Sequence, residues 1–590
     1  MTQRTNNTEE TTVESFRIGH LGLAAEMASE IGLVSSIDLA VGVDPQEILT
    51  TGQAVLAMAI NCLGFTTRAL YISPQFFETT NVTMLLGNPN RSDIPQILPE
   101  HLNEHKFGRT LDAIAEYGPD AFFLKVAVPA FRAMKVQVPQ LHLDTTIHQF
   151  EGNYVDKKGN PLEAFLGSSD DENCEPSKVI ITRGFCKDGR PEAKQVLQEL
   201  LTSSDGDVPL MFKVHSGNSA DVKIMRERME RIKTELAKAS ADDLFPRVLV
   251  GDSKLYSRAS IEAANKDSVF WVTKVPNGVS EVAIVTDEAN SKEAQWLTPA
   301  DSSWNTINTK GLMYQEFTIN KWEIEQSFIV IRTEASEKRA ARSVDAAVKR
   351  EYATLKSMLK KLQKKEFSCE QDLVKACEEV FEKVKYHRIK SLKIVSEKRH
   401  LGRGRPKDGA QPATIYNMSI CEFEEIIDNI KKAKADQSCF VLATNATSDD
   451  ISTEEMISIY IKDQHGVENA FRFLKDPSYF ADAFFLKTPK RIAALLCVMT
   501  ISLLLYSLLQ RKLRMSLGET KETIPNQKGK PTARPTLRWV NQCFEGVDVV
   551  RIKAGGVVTF HFQRLSQIVI KVLKILGDNY VRRYSNEYLR

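Results

Sequence analysis

The sequence predicts an α/β core preceded by a helical region, on three observations. Residues 13–135 hold apolar residues at helical spacing, interrupted by Gly and Pro. From Val138 to Asp267, β-rich runs come first and then alternate with amphipathic helical ones, the order of an α/β sheet. Two of the β-rich runs, LHLD and RVLVGD, close on an aspartate, Asp144 and Asp252. In α/β sheets ligands collect at the carboxyl ends of strands.

Taken in order, HLGLAAEMASEIGLVSSIDLA, GQAVLAMAINCLGF and TLDAIAEYGPDAFFLKVAVPAFRAM predict the helices of the first region. VPQLHLDTTIHQF alternates and is followed by a turn signal at Glu151–Gly152–Asn153. KVIITRGF predicts a second strand. Arg190–Pro191 then opens an expected helix, PEAKQVLQELL, with Pro near its first turn. VPLMFKVHSGNSAD reads as a strand with a polar end, DVKIMRERMERIKTELAKAS as a charged amphipathic helix, PRVLVGDS as a short buried strand and SRASIEAANKD as a helix. Residues 268–335 return to expected strands in VFWVTKVP, SEVAIVTD, LMYQEFTIN and EQSFIVIRTE, and residues 336–396 read as charged helix. SCFVLATN is one more strand, after which Thr453 is the expected cap of TEEMISIYIKDQ. Ala493 to Leu509 is nearly all apolar with basic flanks, but Thr500, Ser502, Tyr506 and Ser507 interrupt it; a buried core helix is expected there, with a membrane span the competing reading. ETIPNQKGKPTARPT predicts an exposed loop, and RLSQIVIKVLKILGDNYVRRYSNEYLR an amphipathic helix.

Composition narrows the class. The chain has 590 residues, enough for several domains, with 42% hydrophobic and 26% charged residues, the profile of a soluble globular protein. A net charge of +2 means that any nucleic-acid surface must come from local clustering. The nine cysteines form no Cys-x-x-Cys pair, which argues against a disulfide framework or a structural zinc. His142, His148 and His215 lack metal spacing and read as packed or surface histidines. MTQRTNNTEETTVESF is polar and lacks a signal-peptide core.

Tyr460 to Lys475, YIKDQHGVENAFRFLK, carries two helical faces. Val467, Phe471 and Leu474 form an apolar stripe, and Glu468, Arg472 and Lys475 stack beside it. One carboxylate above two cations can ligate a metal and hold the phosphate that the metal activates. The same spacing also suits a solvent face of Glu–Arg and Glu–Lys pairs, and a lone Asp at a strand end also suits a cap or turn. Together, Asp144, Asp252 and Glu468 supply the three carboxylates that two divalent cations need when phosphate and water complete the shell.

The order LHLDTT, SGNSAD, VLVGDS, a β-rich insertion and HGVENAFRFLK resembles insertion-sequence transposases of the DDE class, bacterial or archaeal, and is similar to their insertion-sequence-four group. The resemblance extends over essentially the whole chain. It implies a ribonuclease-H-like mixed-sheet catalytic core with a β-rich plus helical insertion and an α-helical N-terminal domain. The implied parts are 1–135 (helical, DNA ends), 136–270 (first part of the core), 271–450 (insertion with basic linker), 451–515 (catalytic Glu helix and core helix) and 516–590 (basic loop and helical tail). It implies Asp144, Asp252 and Glu468 as the metal triad for two Mg2+, with Mn2+ as a substitute, and Lys475 and Arg472 as DNA contacts. Relatives carry Tyr and Arg seven and four positions before the Glu; Ile461 and Gln464 stand there, so Tyr460 and Lys462 are the candidates for those contacts in a shifted register. Thr145, Thr146, Asn218 and Ser219 are candidates to support the carboxylates, turn and cap roles being the alternative. The implied reaction is phosphodiester hydrolysis and strand transfer at terminal inverted repeats of double-stranded DNA, by a homodimer on paired ends, in the cytoplasm at the nucleoid and without membrane attachment. A transposase-derived DNA-binding protein with an inactive nuclease is the alternative.

Residues 402–407, GRGRPK, have the form of an AT-hook core. Gly permits close approach, Pro keeps the chain extended, and Arg403 and Arg405 can enter a narrow minor groove. A basic exposed linker is the other reading. Changing Arg403 and Arg405 to Ala is expected to weaken binding to end-sequence DNA and flatten its salt dependence, read by titration at several salt concentrations; an unchanged slope would count against direct contact.

Overall fold

The computed structural model describes residues 11–585 except 65–68, 168–176, 186–189, 191, 292–294, 301–303, 305–308, 401–408, 410, 464, 476–485 and 555; the side chains of 462, 463 and 465 also stand outside the description. The chain divides into two compact units, one built from residues 1–273 and 458–590, the other from 274–457.

The first unit begins with strand β1 (Thr12–Arg17), followed by helices including Leu21–Glu30, Thr51–Leu63, Glu104–Tyr117 and Pro119–Ala133. The helix Thr51–Leu63 starts at a capping box, Thr50 with Gln53, which satisfies two amide groups the helix end would otherwise leave unbonded. The sheet follows: β2 (Gln140–Phe150), β3 (Lys194–Ser203), β4 (Val208–Ser216), β5 (Val248–Gly251) and β6 (Phe270–Lys274). Their order is β4-β3-β2-β5-β6. β3 runs antiparallel to both β4 and β2, whereas β2, β5 and β6 are parallel, so the sheet is mixed.

Helix Asp221–Lys238 covers one face, where Arg228 reaches the buried Glu199 of β3. The core helix, Pro489–Glu519, covers the other, where His148 bonds Gln198 at 2.7 Å and Gln198 donates to Thr500 at 3.0 Å. This is the helix that by length and composition could cross a membrane; 89% of its apolar window is buried inside the fold. It packs against the helices of the N-terminal region, β4 and helix Gln567–Leu576. Ionic contacts fix its ends: Arg491 bonds Asp112 at 2.6 Å, and Arg511 bonds Asp205 at 2.6 Å and the Met134 carbonyl at 3.0 Å.

The second unit holds an antiparallel trio of strands, Met313–Lys321, Ile324–Arg332 and Cys439–Thr444, the long helix Glu334–Leu362, helix Glu370–Phe381, and a ribbon of two strands, β7 (His387–Arg399) and β8 (Ala413–Glu425). One side of the ribbon packs on the two helices through Leu359, Leu373, Cys377 and Met418. The chain then returns to the first unit through the Glu468 helix, His465–Leu474. Near the end, β9 (Asp548–Ala554) pairs antiparallel with both β1 and β10 (Val557–Gln563). Beyond it, Arg583 bonds Glu26 and the Tyr584 hydroxyl donates to the Gly19 carbonyl, both at 2.5 Å.

Several sequence expectations are corrected. PEAKQVLQELL supplies β3, not a helix. Its paired apolar residues, Val196–Leu197 and Leu200–Leu201, match helical spacing because a central strand is buried on both faces. SEVAIVTD supplies helix Ser280–Ala289, not a strand. Residues 387–396, expected as helix, lie in β7, whose β-branched and apolar residues alternate over a half-covered surface. The hydroxyl that caps helix Thr453–Asp463 is that of Ser452, which accepts from the Glu455 amide at 3.2 Å; Thr453 donates to Glu316 instead. The C-terminal helix is split at Gly577, whose φ of 116° only glycine adopts easily. The GRGRPK segment lies outside the described residues.

Glu199 is a buried anchor between β3 and helix Asp221–Lys238. Burial by itself would raise its pKa, but the Arg228 guanidinium and His215, whose Nε2 lies 2.7 Å away, hold it at about 2. A folded-state pKa below the unfolded one stabilises the fold above the ordinary glutamate range, and this contribution is lost as pH falls towards 2. Urea unfolding of the wild type should therefore weaken between pH 5 and 3, whereas Glu199→Gln should lower stability by about 3 kcal/mol near neutrality and weaken that pH dependence. A variant as stable as the wild type at pH 7 would show that the buried pair contributes nothing.

Candidate active site

The pairing of β2 with β5 decides the site. These strands are parallel, with Leu143 beside Gly251. Asp144 follows Leu143 inside β2 and Asp252 follows Gly251 just past β5, so the two stand side by side, about one strand spacing of 5 Å apart. β2 does not end at Asp144, as the sequence suggested, because β3 stays paired with it as far as Phe150. Alternation along β2 puts Asp144 on the same face as His142, Thr146 and His148, the face that the core helix covers. Both aspartates are half-buried. Asp144 Oδ1 accepts from the Thr145 amide at 2.7 Å. Asp252 Oδ1 accepts from the Lys254 amide at 3.0 Å, and its carbonyl accepts from the Thr273 hydroxyl at 2.6 Å. The turn after β5 is thereby fixed.

The Glu468 helix packs against β2, β3 and the core helix. Val467, Phe471 and Leu474 are buried, as their spacing predicted, while Glu468, Arg472 and Lys475 are exposed. Glu468 sits in the first turn, where the helix dipole favours an anion, and Arg472 in the last, where it favours a cation. Gly466, also buried, abuts the Asp207 carboxylate, so a side chain there would displace it. Tyr460 is buried in the fold, and the Lys462 side chain lies outside the description.

Beside the aspartates is a cavity of about 310 Å³ whose lining includes Thr145, Thr146, Gln195, Asp221, Lys254 and Lys475. Thr145 donates to Asp221 at 3.1 Å, and Lys254 pairs with the same carboxylate. Asp221 was not singled out from the sequence; as the first residue of a helix it looked like an ordinary first-turn acid. Ser219 also lines the cavity, whereas Asn218 sits exposed in the turn after β4. His142 and His148 are buried, and burial pushes each pKa down to about 4, so both rings are neutral at pH 7.

The donor set, three carboxylates, is one that a hard divalent cation takes. Asp144 and Asp252 are gathered; Glu468 is not, since among the described residues no group of three or more His, Cys, Asp or Glu is close enough to hold an ion.

Residues 186–505, more than half of the chain, match the family described as Transposase DDE domain. The chain belongs to that family. Asp252 and Glu468 lie within the matched residues of this DDE transposase, and Asp144 precedes them. Residues 13–128 match a further family, described as a domain of unknown function. No curated protein matches. Among solved structures, a piggyBac transposase synaptic complex with hairpin DNA is 9% identical over 90% of this chain and 82% of its own, with a TM-score of 0.33.

Gly466→Val should lower thermal stability by about 1–3 kcal/mol, because overpacking against Asp207 outweighs the few tenths gained in helix propensity. An unchanged melting temperature would mean that Asp207 turns aside at no cost.

Proposed function

We propose that this DDE transposase cuts and joins DNA at the terminal inverted repeats of an insertion sequence, with Asp144, Asp252 and Glu468 as its catalytic carboxylates. The observation that carries the reading is that Asp144 and Asp252 directly follow the registered pair Leu143 and Gly251, in a sheet whose β2 and β3 the Glu468 helix packs against. On this reading the mixed sheet is a ribonuclease-H-like core and the chain is of the insertion-sequence-four-like group.

The three carboxylates would hold two divalent cations, Mg2+ or Mn2+. Such a pair, when bound, supplies Lewis-acid stabilisation of the attacking and leaving oxygens in an in-line displacement. The chain's own residues do the rest. Lys475 and Arg472, exposed on and just beyond the Glu468 helix, hold the DNA phosphate by charge. Lys254, paired with Asp221 at the cavity, adds a further cation near the reacting strand. Neutral His142 and His148 keep uncompensated positive charge out of the sheet beneath the aspartates. In the first step water adds to phosphorus and the P–O3′ bond breaks, leaving a 3′ hydroxyl and a 5′ phosphate. In the second, that hydroxyl attacks a phosphorus of target DNA and displaces its 3′ oxygen. Glu468 must move towards the aspartates to complete the set, which DNA binding can drive. Two chains acting on paired ends, in the cytoplasm at the nucleoid, complete the proposal.

A second reading, a transposase-derived DNA-binding protein with a silent nuclease, is favoured by one observation: Glu468 does not stand with the aspartates in a group that could hold an ion. One assay separates the two. On end-sequence DNA the wild type should nick with magnesium and stop with chelator, and Asp144→Asn should retain binding but nick at least about 100-fold more slowly. Nicking by the variant at the wild-type rate would remove Asp144 from the site, and binding without nicking by the wild type would favour the silent form.

A further inference from the structure

We propose that the exposed side of the β7–β8 ribbon, together with the lysines that end helix Glu334–Leu362, grips the phosphate backbone of duplex DNA. The inference rests on the reading of the chain as a DNA-handling enzyme and assigns a contact surface on the second unit.

From Lys383 to Arg399 the sequence carries seven Lys and Arg and one acid, Glu397. The facing half of β8, Ala413 to Cys421, carries no charge. A second group of cations, Lys361, Lys364 and Lys365, stands at and just past the end of helix Glu334–Leu362. Hydrogen bonds place that group along β8: Gln363 donates to the Ser419 carbonyl at 2.6 Å and Asn417 to the Lys365 carbonyl at 3.3 Å. Asn417 is in turn the register partner of Val395, and Ile420 that of Lys393. Two rows of lysines therefore flank one neutral strand.

Where this ribbon's cations have acidic partners, the pairs are specific: Arg388 with Glu424, and Arg399 with Glu366. Lys361, Lys364, Lys365, Lys393 and Lys398 are exposed and have no ion-pair partner among the described residues. The surface between the rows is unusual for a free strand, with Val395 54% and Ile420 45% exposed. By alternation Lys393, Val395 and Arg399 share the exposed side, with Glu397 between them, whereas Lys398 belongs to the other; Lys393 and Arg399 stand roughly 20 Å apart along the strand. A line of charge that long suits a polymer of closely spaced anions, and duplex DNA carries one about every 1.7 Å of its axis. A ribbon of two strands is also narrow enough for the major groove, where apolar side chains can meet thymine methyls.

The test uses the full chain with Lys361, Lys364, Lys365 and Lys393 changed to Gln, and a control with Lys233 and Lys238 of helix Asp221–Lys238 changed likewise. Binding to a fluorescent duplex is read by anisotropy over a salt series, with a thermal melt to verify folding. The ribbon variant should lose at least tenfold in affinity, and its slope of log K against log salt should fall by about 3.6, near 0.9 for each of the four phosphate contacts removed; the control should match the wild type. A slope shared by wild type and ribbon variant, with binding intact, overturns this inference alone. A wild type that binds no duplex overturns it together with the transposase reading. Binding of polyglutamate that the ribbon variant loses, beside an unchanged DNA slope, would assign the surface to an acidic protein and overturn it as well.

Discussion

Burial of the core helix, Pro489–Glu519, is the constraint on which the first unit depends. Its apolar residues run all the way round, so neighbours must cover it on every side. The N-terminal helices, β4 and helix Gln567–Leu576 supply that cover. Thr500 and Ser502 interrupt the apolar run at little cost, because each hydroxyl donates to a carbonyl one turn back, Leu496 at 2.7 Å and Val498 at 3.0 Å. Thr500 also accepts from Gln198, which ties the helix to the sheet. Arg491 and Arg511 then fix both ends against Asp112 and Asp205, so the helix has one position along its axis.

That position matters for the site. The Glu468 helix is seated on the sheet and on the core helix, and its exposed edge carries Glu468, Arg472 and Lys475. The aspartates are fixed separately, by strand register and by the turn bonds around Asp252. Two carboxylates thus belong to the rigid sheet and the third to a helix packed upon it. The cavity with Asp221, Lys254 and Lys475 lies beside both.

Much of this was legible in the chain. Asp144 and Asp252 could be found because each follows a short apolar run, although β2 continues past Asp144 to Phe150, and the stripe of Val467, Phe471 and Leu474 could be read from its spacing alone. What could not be read depended on partners far away in sequence. β3 is covered on both faces, which erases the alternation that marks a strand and leaves a helix-like pattern. Its Glu199 looks like a surface acid until Arg228 and His215 stand beside it. Asp221 belongs to the cavity only because Thr145 and Lys254 converge on it from two other elements. The short β1 has exposed residues and no pattern of its own; it exists because β9 pairs with it.

The β1–β9 pairing has a consequence for synthesis. A ribosome releases Thr12–Arg17 early and Asp548–Ala554 more than five hundred residues later, so the sheet that joins them cannot close until Ala554 has emerged. Domains fold as units while the chain emerges. Residues 274–457 can therefore collapse while the first unit is still waiting for β9. A nascent polypeptide still short of β9 would thus carry an unfinished first unit, the one that holds Asp144, Asp252 and Glu468.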